Sequence, residues 1–388
     1  MTPEEFRKER NIDARILHEV TEIDIKNRRV HVRDLRERKE LWQPFDILMI
    51  ATGALPAYPD VPGADAKGIY GVHTLQSGVE VRRVVDEEKP RRAVIVGGGY
   101  IGLEMAEAFI MRGMDVSLVE RSEQVMGTLD PDMGALVSDA LLKIGVKLYR
   151  NESLESFDAR EGKVTAVVTD RRSVPADIVI TGLGVRPNTA LAGQAGIPLG
   201  VRDAIKVNDR MQTSIEGVWA GGDCAESFHL VSRRPVHFAL GTIANKQGRV
   251  AGINIGGEYA TFRGVVGTAV SKICSVEVAR TGLQEREIRA LGLQYVTGRI
   301  ESMTRAHYYP NAGTVTVKVL AEKGCGRLLG GQIVGVEGAA KRIDVLATSL
   351  HAEFTVLDMI DLDLSYAPPY SPVWDPVIVA ARKAADAL

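Results

Sequence analysis

The chain has 388 residues, too many for one hydrophobic core, so two or three domains are expected. With 45% apolar and 25% charged residues it is an ordinary globular composition, and a formal net charge of −2 excludes the basic footprint of a nucleic-acid or anionic-membrane binder. No stretch approaches the ~18 uninterrupted apolar residues that suggest a bilayer span, and the charged start lacks the apolar core of a signal peptide, so a cytoplasmic protein is expected.

Taken in order, Thr2 to Asn11 predicts a short helix, with Thr2 as N-cap, Pro3 in the first turn and Glu5 at capping-box spacing. Short β segments follow between Ala14 and Val32. Phe45 to Ile50 reads as an apolar strand that ends in Ala51-Thr52-Gly53, before a proline-rich link from Pro56 to Pro62.

The most informative stretch runs from Ala93 to Arg121. A β-branched run, Ala93 to Val96, passes into Gly97-Gly98-Gly99-Tyr100-Ile101-Gly102, a G-x-G-x-x-G that opens a helix. Met105, Ala108, Phe109 and Arg112 are expected on the helix face that meets the sheet. A second strand, Asp115 to Val119, ends at Glu120. Gly97 suits the tight turn, Gly99 the approach of a pyrophosphate, and Gly102 the close packing of helix on strand. The helix start offers free N–H groups to an anion. Glu120 is placed to accept from a ribose 2′-hydroxyl, which favours NADH, while Arg121 next to it leaves NADPH open.

Pro131 to Gly145 predicts a helix with Leu136, Ala140 and Ile144 on one face, followed by a parallel strand at Val146 to Tyr149. Leu154 to Phe157 and Val164 to Thr169 suggest a small meander, and Asp177 to Thr181 a closing strand before Gly182-Leu183-Gly184. Thr213 to Glu226 reads as a strand whose glycines admit a flat ligand and whose Asp223 can accept from ribitol-type hydroxyls. The helix after it, from about Leu240 to Ile255, could turn its positive end to that ligand. Cys224, Cys274 and Cys325 lie far apart, show no metal-ligand or C-x-x-C spacing, and are expected to be packed thiols.

From Gly264 the pattern becomes α+β with no nucleotide fingerprint: strands at 269–275, 295–299, 314–320 and 331–336, and helices at 284–291 and 339–351. It closes with Tyr366-Ala367-Pro368-Pro369-Tyr370-Ser371-Pro372-Val373-Trp374-Asp375-Pro376, a rigid aromatic segment suited to a subunit interface.

With ATG, GGGYIGLE, GVRPN and TSIEGVWAGGDCAE in this order, the chain resembles the two-dinucleotide flavoprotein disulfide reductases. YAPPYSPVWDP is similar to the branch that contains coenzyme A-disulfide reductases, NADH oxidases and polysulfide or persulfide reductases. The resemblance implies an α/β, glutathione reductase-like fold with a C-terminal α+β dimerisation domain. It divides the chain into 1–73 and 193–263 for FAD, 74–192 for NAD(P)H, and 264–388 for dimerisation.

Members of that branch carry a leading FAD βαβ unit and a single redox cysteine. Neither is found here, so the resemblance implies an N-terminally truncated chain with weakened FAD binding and poor solubility.

Residue by residue, the resemblance gives FAD to Val20, Thr52, Gly53, Gly222 and Asp223. It gives NAD(P)H to Gly97, Gly99, Tyr100, Ile101, Gly102, Glu120, Arg121 and Gly184. Tyr308 and Tyr366 match tyrosines that reach a partner's redox centre in a homodimer, and Arg15 matches a basic position of the coenzyme A pocket. Trp374 departs from the lysine found there in some coenzyme A-disulfide reductases. The implied activity is NAD(P)H-dependent reduction of a small disulfide or per-/polysulfide, with an NADH oxidase or peroxidase, or an inactive nucleotide-binding dimer, as alternatives.

Overall fold

The computed structural model describes residues 1–388 and divides them into two compact units. The first comprises Met1–Ala54, Arg186–Phe228 and Pro235–Gly264; the second comprises Leu55–Val185, His229–Arg234 and Val265–Leu388.

The first unit opens with the helix Pro3–Arg10, closed at its start by the expected capping box: the Thr2 hydroxyl accepts from Glu5 N, and the Glu5 carboxylate accepts from Thr2 N. Three antiparallel strands follow, His18–Asp24, Arg29–Asp34 and Lys39–Pro44. Ile23, Val30 and Val32 form their buried side, in one cluster with Ile50, Ile205, Val218 and Ala220. The third of these strands escaped the sequence reading because nearly all of it is exposed, so no apolar alternation marks it. The expected strand at 45–50 is shorter, Leu48–Ile50, and pairs in parallel with Val218–Ala220, the only part of 213–226 that is a strand in the main motif. The helix Gly241–Ile255 follows as expected.

The second unit contains a parallel sheet in the order Ile69–Tyr70, Ile178–Thr181, Arg92–Val96, Asp115–Glu120, Lys147–Arg150. Its central strands are apolar without alternation because both faces are covered. Ile95 and Leu118 join a cluster with the helices, while Val94, Val96 and Val119 pack on Phe157, Val167 and Val174 of a three-stranded antiparallel sheet. The helix Leu75–Glu88 was not anticipated, although Thr74 and Ser77 form its capping box and Val81, Val84 and Val85 its buried side.

The helix after the glycine loop, Tyr100–Ile110, buries Gly102, Leu103, Ala106 and Phe109, whereas Ala108 and Arg112 are exposed. The expected face was therefore turned by roughly one position, since Phe109 groups with residues three and seven before it. The next helix, Pro131–Lys143, buries Met133, Val137, Ala140 and Leu141.

Beyond Val265 the same unit continues as an antiparallel sheet in the order Ala269–Ile273, Val276–Gly282, Leu328–Gly335, Thr314–Glu322, Tyr295–Met303. The final helix, Pro376–Ala385, packs on Tyr295–Met303 where Gly298 has no side chain. A Cβ there would lie 2.1 Å from the Ala380 carbonyl oxygen and 2.6 Å from the Ala384 nitrogen. Gly298→Ala is expected to push the helix off the sheet at a cost of about 1–3 kcal/mol. Urea unfolding checks this; an unchanged midpoint would contradict the packing.

Candidate functional site: a glycine-loop nucleotide cradle, a buried acid and a tyrosine pair

In the second unit, the strand Arg92–Val96 delivers the chain into the glycine loop and Gly99 caps the helix. Gly97 takes φ +102°, and a Cβ on Gly102 would lie 2.0 Å from the Gly97 carbonyl oxygen, so the first helical turn meets the strand end backbone to backbone. The space around Gly99 is open by contrast, with only the Gly182 oxygen as near as 3.9 Å to an added Cβ. Tyr100, Ile101 and Gly102 occupy the first turn, whose N–H groups have no helical acceptor. That is an anion cradle built of backbone.

Glu120 lies at the carboxyl end of its strand, and its Oε2 accepts from Gly98 N at 2.7 Å while Oε1 accepts from Ser122 N at 2.8 Å. It therefore fixes the glycine loop, a role that sequence reasoning missed. Two carboxylate oxygens have about four acceptor positions, so capacity for ribose hydroxyls remains. Arg121 beside it is exposed. Tyr100 is held by Thr128, whose hydroxyl donates to the Tyr100 oxygen at 3.3 Å, and burial pushes the Tyr100 phenol above its ordinary pKa. Gly184 follows the closing strand, and its carbonyl accepts from Ala57 N at 2.9 Å.

In the first unit, Asp223 follows Gly222 in the turn after Val218–Ala220. The Gly222 N–H donates to Gln247 Oε1 at 2.8 Å, and the Asp223 carbonyl accepts from His237 Nε2 at 2.8 Å, so the backbone of the turn is held from two sides. Its carboxylate is not held in this way: Asp223 Oδ1 is buried without a hydrogen-bond partner. An orphaned buried acceptor is costly unless a donor is supplied to it, and hydroxyls of a flavin side chain would supply one. Thr52 Oγ1 donates to the Asn188 carbonyl at 2.5 Å, Asn188 Nδ2 returns a bond to the Thr52 carbonyl, and the Gly53 carbonyl accepts from Asn188 N. Val20 is partly exposed in its strand, opposite Val32.

Arg15 is spoken for in part. Its Nε pairs with Asp13 at 2.8 Å and its Nη1 donates to Gln43 at 3.0 Å, so only part of the guanidinium is available to a phosphate. The expectation of packed thiols holds for Cys224, whose Sγ donates to the Ile50 and Gly221 carbonyls, but Cys274 is half-buried and Cys325 is exposed.

Tyr308 and Tyr366, 58 positions apart in sequence, are brought together on the surface of the second unit, where each remains exposed and the two phenols interact. Arg342, which sequence reasoning missed, ties their segments. Its guanidinium donates to the carbonyls of Thr304 and Tyr370 and pairs with Asp375 at 3.1 Å. Asp375 in turn caps the final helix through Val377 N, and the Ala306 N–H reaches the Pro368 carbonyl. A lone arginine far from both tyrosines in sequence gives no pattern to read.

Residues 3–272 match the family model for pyridine nucleotide-disulphide oxidoreductases, and residues 268–376 match that family's dimerisation domain. The chain belongs to this family. Among its relatives is the CoA-dependent NAD(P)H sulfur oxidoreductase of Pyrococcus abyssi, 40% identical over 381 residues, or 98% of this chain and 84% of that one. An NADH oxidase of Methanocaldococcus jannaschii is 38% identical over 99% of this chain and 85% of its own. A solved NAD-dependent persulfide reductase from A. fulgidus superposes with a TM-score of 0.95 at 39% identity, covering 98% of this chain and 71% of that one.

Interaction of the Tyr366 hydroxyl with Tyr308, with burial second, raises the Tyr366 pKa above the ordinary tyrosine value. A raised phenol value means that the pair contributes its stability at and below neutral pH and loses it as pH rises through the Tyr366 value. Tyr308→Phe is expected to move the Tyr366 midpoint back toward the ordinary range, read by NMR of ring-labelled tyrosine. A midpoint that stays put would show that the two rings do not interact.

Proposed function

We propose that the protein is an NAD(P)H-dependent flavoprotein reductase of a small disulfide or persulfide, coenzyme A disulfide being the leading candidate. The observation that carries this reading is the pair of built sites: a glycine-loop cradle with Glu120 at its strand end, and a buried Asp223 carboxylate oxygen awaiting a donor. The names of the P. abyssi and A. fulgidus relatives support sulfur as the electron acceptor.

On this reading Gly97, Gly99, Tyr100, Ile101, Gly102, Glu120, Arg121 and Gly184 hold the nicotinamide nucleotide, and Val20, Thr52, Gly53, Gly222 and Asp223 hold FAD. Segments 1–73 and 193–263 then serve the flavin, 74–192 the nicotinamide nucleotide, and 264–388 the dimer contact. FAD supplies two-electron transfer between the nicotinamide and sulfur. The chain's own residues orient and charge-balance: helix N–H groups carry the pyrophosphate charge, and Asp223 fixes hydroxyls. The start of Gly241–Ile255 offers a positive dipole end to an anionic ligand.

Tyr308 and Tyr366, exposed and adjacent to each other, would donate to departing sulfur across a homodimer, and the open part of Arg15 would pair with a phosphate of coenzyme A. The net reaction is balanced by one proton from solvent: NAD(P)H, a proton and a disulfide give NAD(P)⁺ and two thiols. Three unpaired cysteines suit the reducing cytoplasm as the compartment.

The M. jannaschii relative favours a second reading, reduction of oxygen, and one assay separates the two. With the flavin-loaded chain under anaerobic conditions, NADH and coenzyme A disulfide should yield two thiols per NADH consumed. NADH consumption that requires oxygen and forms no thiol would favour the oxidase.

Glu120 also sets an expectation for cofactor choice. Its charge should disfavour the 2′-phosphate of NADPH, giving NADH about tenfold tighter binding. Glu120→Ala should narrow that gap while weakening both cofactors, because Gly98 N loses its acceptor. Equal dissociation constants for the two cofactors in the unmodified chain would contradict this.

A further inference from the structure

The wall of the glycine loop is the segment Arg121–Asp130, and it touches the cradle at two points. The Met126 N–H donates to the Gly98 carbonyl at 2.7 Å, and the Thr128 hydroxyl donates to the Tyr100 oxygen at 3.3 Å. Val125 packs over Gly98 so closely that a Cβ on Gly98 would lie 2.7 Å from a Val125 methyl. Whatever fixes this segment therefore fixes Gly98 and Tyr100.

Its far end is fixed by the antiparallel sheet that begins after Gly264. Asp130, only 2% exposed, makes a reciprocal pair with Gln332: the Asp130 N–H donates to Gln332 Oε1 at 2.8 Å, and Gln332 Nε2 donates to Asp130 Oδ2 at 2.8 Å. Asp130 Oδ1 accepts from Glu285 N at 2.9 Å, and Gln284 Nε2 reaches the Gly127 carbonyl at 3.2 Å. Lys318, 3% exposed, lies 3.1 Å from Asp130, 2.7 Å from Asp132 and 2.6 Å from Glu285.

Arg299 pairs with Asp132 and Arg289 with Glu285, so three carboxylates face three cations. Burial pulls the Lys318 pKa down, and the hydrogen bonds it donates to Asp132 and Glu285 outweigh it, which keeps the ammonium charged. A buried charge network of this kind is worth little as net stability, but it fixes one arrangement strictly because breaking one partner leaves others uncompensated.

We infer that Gln332 and Lys318 are positioning residues for nucleotide binding: they hold Asp130, which holds the segment that fixes Gly98 and Tyr100, so the dimerisation sheet completes the cradle. The inference rests on the reading of 97–102 as a nicotinamide-nucleotide site. It assigns to two residues of the dimerisation domain an effect on affinity at a site to which neither contributes a side chain.

Hydrogen exchange on the unmodified full chain tests it first. Addition of NADH should slow exchange at the amides of Met126, Asp130 and Glu285 several-fold, since these three bonds form the linkage. Variants test it second, by NADH titration. Gln332→Met removes both bonds to Asp130 but keeps every charge, and should raise the NADH dissociation constant about fivefold without loss of the dimer.

Thr128→Val, which cuts the link at its other end, should also weaken binding, and the double variant should be no weaker than the worse single one. Strictly additive effects, or a Gln332→Met affinity within twofold of the parent, would overturn the inference. NADH binding with unchanged exchange at Asp130 and Glu285 overturns it alone; no NADH binding by the unmodified chain overturns the nucleotide reading as well.

Discussion

The carbonyl oxygen of Gly97 stands where a side chain on Gly102 would begin, 2.0 Å from the missing Cβ. Because nothing but hydrogen occupies that point, the first turn of Tyr100–Ile110 packs directly on the end of Arg92–Val96 and its free N–H groups face outward together. The rest of the second unit supports this contact. A parallel sheet buried on both faces fixes the strand end, Glu120 and Met126 hold Gly98 from either side, and Thr128 holds Tyr100. Rigid scaffold and open cradle are thus made by the same short sequence.

The first unit follows a different plan. Two of its buried side chains shape one turn: Gln247 accepts from Gly222 N and His237 binds the Asp223 carbonyl, while the Asp223 side chain keeps a buried oxygen unsatisfied. Native interiors rarely tolerate such an atom without a purpose. Preorganising the backbone while leaving the carboxylate unspent is how a site keeps binding capacity for its ligand, since little has to move when the donor arrives.

Local pattern made much of this legible. The capping box of Thr2 and Glu5 and the strand–glycine–helix–strand–acid unit follow from neighbouring residues, and the structure places both as read, whereas Gly222 and Asp223 fall in the turn after a strand that keeps only Val218–Ala220 of the expected 213–226. What escaped was non-local or unmarked. The strand Lys39–Pro44 is exposed and shows no alternation. The strand Val276–Gly282 was missed and the one before it, Ala269–Ile273, was expected to run on to 275, because Cys274 makes the turn at φ +52° without a glycine to announce it. Lys318, Gln332 and Asp130 meet across nearly two hundred residues of chain, and a lysine in an apolar strand carries no sign of the three carboxylates that keep it charged. The same holds for Arg342, which joins the tyrosine-bearing segments only through backbone carbonyls and Asp375.

The central claim is that one chain binds both FAD and a nicotinamide nucleotide and passes electrons between them. Anaerobic titration of the flavin-loaded full chain with NADH, followed through the visible flavin band, tests it most directly. The account predicts bleaching that is complete near one NADH per flavin, and loss of bound flavin in Asp223→Ala. A band that persists with NADH in excess, or an Asp223→Ala variant that keeps its flavin as the parent does, would contradict it.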